Sequence, residues 1–164
     1  MHHCNYNFDQ VEWRQIVDES CKDYKIDFKY SLLGYDLKLK RLDMLLKYAP
    51  GNSYCRRHRH IASTMTIVLE GEQYLTEFQT NGTTKKIVRK KGDYALAEYD
   101  ALPHNEHGGL NGGTVILSLL SSDGNLFEYF GDNSNDRWTV SIEDFVNNWK
   151  NGVIYGSKPN TLTK

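Results

Sequence analysis

Residues 51–71 read GNSYCRRHRHIASTMTIVLEG. A β-strand sends alternate side chains to the same face, so a strand over Tyr54 to His60 presents His58 and His60 together and turns Arg57, Arg59 and Ile61 away. Inside a closed sheet two imidazoles held in this way chelate one ion, and neutral imidazole suits zinc, iron, copper and nickel. Arg56 has the inward parity of the two histidines, which lets it meet a negative group at the mouth of a barrel, while Cys55 has the outward parity. The competing reading of Arg56 to His60 is an exposed basic strand lying against phosphate. Charge argues against it: 20 Lys and Arg against 21 Asp and Glu give a formal charge of −1, with no long-range positive field for a nucleic acid or an anionic membrane.

The flanking sequence is patterned as antiparallel strands. Ile26, Phe28, Tyr30 and Leu32 alternate with polar residues, the period-two pattern of a strand over 25–33 with one buried face. Further strands are expected at Leu42 to Ala49, Thr64 to Leu69, Gln73 to Phe78, Lys86 to Arg89, Tyr94 to Glu98, Thr114 to Leu120 and Leu126 to Phe130. Turn signals separate them at Pro50-Gly51, Glu70-Gly71, Asn81-Gly82, Gly92-Asp93, the glycine-rich Gly108 to Gly113, and Asp123-Gly124. Tyrosines at strand spacing pack a core rather than stack on bases. Beyond 131 the period changes. Ser141 with Asp144 resembles a capping box, and Ile142, Phe145, Val146 and Trp149 follow at helical spacing, so a C-terminal helix should lay its apolar stripe on the outside of the barrel. Gly152 is placed to end it, and Gly156 to Lys164 reads as a loose tail. The expected organisation is an N-terminal extension (1–23), one β-barrel domain (24–131) and a C-terminal helix and tail (132–164).

Cys4, Cys21 and Cys55 are odd in number, and none stands in the C-x-x-C spacing of a thiolate zinc site, which points to a reduced, intracellular protein. The start MHHCNYNFDQ has no charged region followed by an apolar stretch, and no run approaches the roughly 18 apolar residues of a membrane span. The chain is therefore expected to be soluble and cytoplasmic, with neither membrane nor nucleic acid as partner. His2 and His3, in a polar terminal segment, are set aside as ligands.

With Gly51 before it, Gly71 after it, and a second cluster from Gly92-Asp93 to Pro103-His104, the H-x-H stretch resembles the cupin superfamily. In the first motif of that family a glycine precedes H-x-H, and an acidic ligand and a second glycine follow. Gly51, His58, His60 and Gly71 match, and Thr64 stands where the glutamate is expected. Gly92, Pro103 and His104 match the second motif, with a slightly longer turn between them. His107 competes as third ligand, because His107 to Asn111 reproduces the H-x-x-x-N ending of the family better than His104 to Gly108 does. His104 is favoured, since the next apolar strand, from near Val115, follows it at the family's spacing and Pro103 keeps a prolyl turn beside it. On one strand His104 and Glu106 share a face and His107 points outward.

The resemblance implies an all-β, single-domain double-stranded β-helix, or jelly-roll barrel, that holds a metal on His58, His60 and His104 and pairs into a homodimer through one sheet face. Without an acidic ligand, three neutral imidazoles leave the ion its full charge, which favours an anionic, enolate-like chelating substrate. Such a site is similar to those of the acetylacetone-cleaving and dihydroxyacetophenone dioxygenases. That likeness implies Fe(II) and oxygen-dependent cleavage of a carbon–carbon bond in a small diketone or related enolisable compound. Arg56 would then face the substrate, and Glu106 would accept a hydrogen bond that orients a histidine. Two other classes fit the scaffold. One is a non-catalytic cupin holding Zn(II) or a small ligand as a sensor. The other is a metal-dependent isomerase or hydrolase, for which no carboxylate pair is recognisable.

Overall fold

The computed structural model describes residues 10–18, 21, 23–51, 53–131 and 136–152; His2, His3, Cys4 and the polar tail lie outside these. Ten strands form one sheet: β1 (Arg14–Asp18), β2 (Ile26–Asp36), β3 (Arg41–Tyr48), β4 (His58–His60), β5 (Ser63–Phe78), β6 (Thr84–Lys90), β7 (Tyr94–Ala97), β8 (His104–Leu120), β9 (Asn125–Phe130) and β10 (Arg137–Ser141). One helix follows, α1 (Ile142–Lys150). The sheet runs β1-β2-β3-β8-β4-β9-β10, and β5 lies along β8 while carrying β6 and β7. All these strand pairings are antiparallel.

The period-two pattern sets the inner face. Ile26, Phe28 and Tyr30 on β2 and Leu42, Met44 and Leu46 on β3 are buried, and register pairs Tyr30 with Leu46 and Phe28 with Tyr48. Val115, Leu117 and Leu119 of β8 complete that wall of the core opposite β3. The sheet curls around one apolar core, to which α1 adds Ile142, Phe145 and Val146 rather than lying outside it.

Two of the expected turns are not turns. Glu70-Gly71 lies inside β5, joining two expected strands, and Gly108 to Gly113 lies inside β8, which extends the expected Thr114 to Leu120 strand back to His104; the two long strands pair along their lengths. Register shifts at Val68/Glu70 and Gly71/Gln73 bend the pair. Glycine is required there by close approach: a Cβ on Gly71, whose φ is +62°, would stand 2.3 Å from the Gly112 carbonyl oxygen, and one on Gly113 would stand 2.2 Å from that of Glu72. Where two bent strands cross this tightly, glycine marks a kink rather than a chain reversal.

The sheet also runs past both bounds expected for the barrel, since β1 adds to β2 and β10 adds to β9. The expected strand over Tyr54 to His60 shortens to β4 alone, with Tyr54 in isolated bridges and a bend at Arg57. The C-terminal helix matches its sequence signature. The Ser141 hydroxyl accepts from the Asp144 amide at 3.1 Å, and Asp144 Oδ2 accepts from the Ser141 amide at 3.0 Å. Ile142, Phe145 and Val146 are buried, and Tyr30 meets Phe145 and Trp149 edge-on. Ser141→Ala should lower stability by about 1 kcal/mol, read as a shift in the urea midpoint without change of slope.

Candidate metal centre

His58 and His60 are separated by one residue on β4, and register sets His58 directly opposite His104, the first residue of β8. A three-residue strand and a strand end thus bring three imidazoles into one patch, with Phe127 of β9 standing edge-on to both His58 and His60. All three histidines are buried, and one ring nitrogen of each lies within 4.8 Å of the others.

The hydrogen bonds decide which nitrogens face inward. His58 Nδ1 donates to the Arg56 carbonyl at 2.8 Å, and His104 Nδ1 donates to the Leu102 carbonyl at 3.1 Å. A backbone carbonyl only accepts, so each ring holds its proton on Nδ1 and presents a bare lone pair on Nε2. The Nε2 atoms of His58 and His60 are 3.2 Å apart, and His104 Nε2 is buried without any partner. Two nitrogens bound to one ion at 2.0–2.1 Å stand about 3.0–3.4 Å apart, so the His58–His60 spacing is that of two ligands on one metal. The unpartnered Nε2 atom also fits a metal, because a buried acceptor left bare otherwise costs roughly 1–3 kcal/mol.

The electrostatics keep His60 and His104 neutral. Burial, followed by the facing His104 and His58, holds His60 well below the ordinary imidazole range, and burial with His58 lowers His104 to about 4. Glu106, two residues after His104 and on the same face, is buried as well. Its Oε1 lies 3.8 Å from His58 Nε2 with no hydrogen-bond partner, and its Oε2 accepts from Gln73 Nε2 at 2.7 Å. Burial pushes this carboxyl up, but His58 and His104 when they carry a proton, and the adjacent Tyr48 hydroxyl and Cys55 thiol, pull it further down, and it ends below its ordinary value.

No protein-family model and no curated protein sequence matches the chain. Solved structures do. A candidate acetylacetone dioxygenase from Methylibium petroleiphilum superposes with a TM-score of 0.63 over 91% of this chain and 95% of that one, at 14% identity. The acetylacetone dioxygenase of Acinetobacter johnsonii superposes with a TM-score of 0.61 over 92% and 99%, at 13% identity. An RmlC-like cupin from Shewanella frigidimarina gives 0.50 over 74% and 93%, at 19% identity. The fold is a cupin.

Within this fold the remaining expected site residues are spread over different faces. His107 leaves β8 on the opposite side from His104, stacks on Tyr74 at 5.2 Å between ring centres, and bonds through Nδ1 to the Gly108 carbonyl at 2.7 Å. Arg56 was expected to point inward, but the structure pairs it with Asp18 and lays its guanidinium 5.5 Å over Trp138. The bend at Arg57 breaks the alternation on which that expectation rested. Cys55, expected to face outward, is buried in the core 3.8 Å from the Tyr48 hydroxyl for the same reason. Thr64 is buried and donates to the Ala62 carbonyl at 3.0 Å.

The arginine that does line the centre is Arg89. A cavity of about 40 Å³ beside His60 and His104 is walled by Arg89, Gln73, Glu106 and Glu77. Register sets Gln73 opposite Arg89, whose Nη1 donates to Gln73 Oε1 at 3.0 Å, so Arg89, Gln73 and Glu106 form one chain of hydrogen bonds that ends at the carboxylate beside the imidazoles. Sequence reasoning missed Gln73 and Arg89. The only signal was the alternation of Ile87 and Arg89 within a run of lysines.

The depressed histidines predict an acid limit for the metal-free protein. Above pH 6.5 both are neutral whether the chain is folded or not, and they contribute no pH dependence. Below it the unfolded chain takes up protons that the folded chain refuses, so stability falls with falling pH. For His104, from 6.5 down to about 4, the loss is on the order of 3 kcal/mol, and His60 adds in the same sense. Glu106, ionised in the fold below its ordinary range, removes further stability as pH drops beyond that. Urea unfolding of metal-free protein between pH 7.5 and 4.5 should show this decline, and a pH-independent midpoint would exclude it.

Among the described residues no helix is long and apolar enough to cross a membrane.

Proposed function

We propose that this cupin is a non-haem Fe(II) dioxygenase that cleaves a carbon–carbon bond in a small β-diketone or similar enolisable compound. The observation that carries this reading is the convergence of three buried imidazoles, with threonine rather than glutamate at position 64. The likeness in fold to acetylacetone dioxygenases supports it. Fe(II) held by His58, His60 and His104 would supply a Lewis acid for the substrate and one-electron chemistry with dioxygen, the net electrons coming from the substrate that is oxidised.

The chain supplies the rest. Glu106 Oε1, bare and ionised beside the ligands, is placed to take the proton whose loss turns a diketone into its enolate. Gln73 fixes the other carboxylate oxygen, and Arg89 fixes Gln73, so the base is held in one orientation. Phe127, edge-on to two of the rings, covers that side of the centre with apolar surface and keeps water from it. The cavity has room for roughly three waters, which selects a compact substrate over a drug-sized one.

The same small volume favours a second reading, a cupin that holds zinc without turnover. Anaerobic purification with Fe(II), followed by addition of acetylacetone in an oxygen electrode, separates the two. The dioxygenase reading expects one dioxygen consumed per diketone lost. Tightly held zinc with no oxygen uptake in the iron-loaded protein would favour the second.

A further inference from the structure

On the face of β4 opposite the histidines the sheet carries a second cavity, of about 580 Å³, that plays no part in the chemistry above. Its walls include Arg57, Arg59, Arg137, Phe130, Leu102 and Pro103. Its two acids are already committed: Arg59 Nε donates to Glu128 at 2.5 Å, and Arg59 Nη1 donates to Asp100 at 3.1 Å. Among the described residues neither Arg57 nor Arg137 has a carboxylate partner. Arg57 is held between aromatic rings, with its guanidinium carbon 4.1 Å from the centre of Phe78 and 5.2 Å from that of Phe130. Arg137 lies 5.1 Å from the centre of the same Phe130 ring. Arg57 Nε is buried with no acceptor among the described residues.

Rings hold a guanidinium in place but do not satisfy its N–H groups, and a desolvated cation without an anion is costly. Two guanidinium forks around one phenylalanine, Arg57 partly buried and Arg137 exposed, in a cavity of small-molecule size, present planar, charge-assisted donor sets that match a carboxylate or a phosphate. We propose that this cavity is a binding site for a small anion bearing carboxylate or phosphate groups on a compact apolar body, separate from the metal centre. The charged end would bridge Arg57 and Arg137, and the body would lie along Leu102, Pro103 and Phe130.

Isothermal titration of the zinc-loaded protein with inorganic phosphate and, separately, with succinate, at an ionic strength held constant with sodium chloride, tests the site. At least one probe should saturate at one site per chain, and which one does so identifies the anionic group. Arg57→Gln and Arg137→Gln should each weaken that binding roughly 10- to 100-fold. His104→Ala, which disables the metal centre, should leave it unchanged. If Arg57→Gln fails to fold, the exposed Arg137 decides alone. Heat that follows ionic strength without saturating, binding unaffected by Arg137→Gln, or binding lost with His104→Ala would each overturn the proposal; the last would place the anion on the metal.

Discussion

His104→Ala should lower metal affinity by about two to three orders of magnitude, whereas His107→Ala should leave it unchanged. Structural zinc sites bind with about 10–16 kcal/mol shared among roughly four ligands, or about 3 kcal/mol each. His104 contributes a bare, buried Nε2 atom pre-oriented by the Leu102 carbonyl, so its share is lost whole. His107 stacks on Tyr74 on the other face of β8 and should cost only local packing. Competition with a chromogenic chelator reads both variants without reference to any activity. Equal affinity in His104→Ala and wild type, or loss in His107→Ala, would move the third ligand away from His104.

Glu106→Gln should cut turnover of acetylacetone by about 10²- to 10⁴-fold while iron content stays at the wild-type level. The amide has the shape of the carboxylate and can still accept from Gln73 through its oxygen, but it no longer takes a proton. Oxygen uptake at saturating diketone, set against iron per chain, is the measurement. A carboxylate that served only as a counter-charge to the centre would give a different result, with iron content falling and turnover per bound iron preserved.

Where the chain's local pattern and its tertiary placement agree, the sequence could be read residue by residue. Ile26, Phe28 and Tyr30 face inward because period two and burial coincide, and Ser141 with Asp144 caps α1 through purely local bonds. His58 and His60 share a face because only one residue separates them on a strand. The errors come where local pattern is ambiguous. Glycine signals both a chain reversal and a close crossing, so Gly71 and Gly108 to Gly113 were expected to form turns, whereas they are the bend of two paired strands. Parity fails across a bend, which misplaced Arg56 and Cys55. β1 and β10 are short strands with few apolar residues, and only pairing with β2 and β9 reveals them. Gln73 and Arg89 belong to the centre through the register of β5 on β6, a long-range fact that no spacing along the chain encodes.

Anomalous diffraction from crystals of the metal-loaded protein, collected above the absorption edge of the bound metal, tests the shared-ion claim most directly. One peak about 2.0–2.2 Å from Nε2 of His58, His60 and His104 together is the predicted result. A peak bound elsewhere on the chain, or three rings that stay metal-free in saturated crystals, would contradict it.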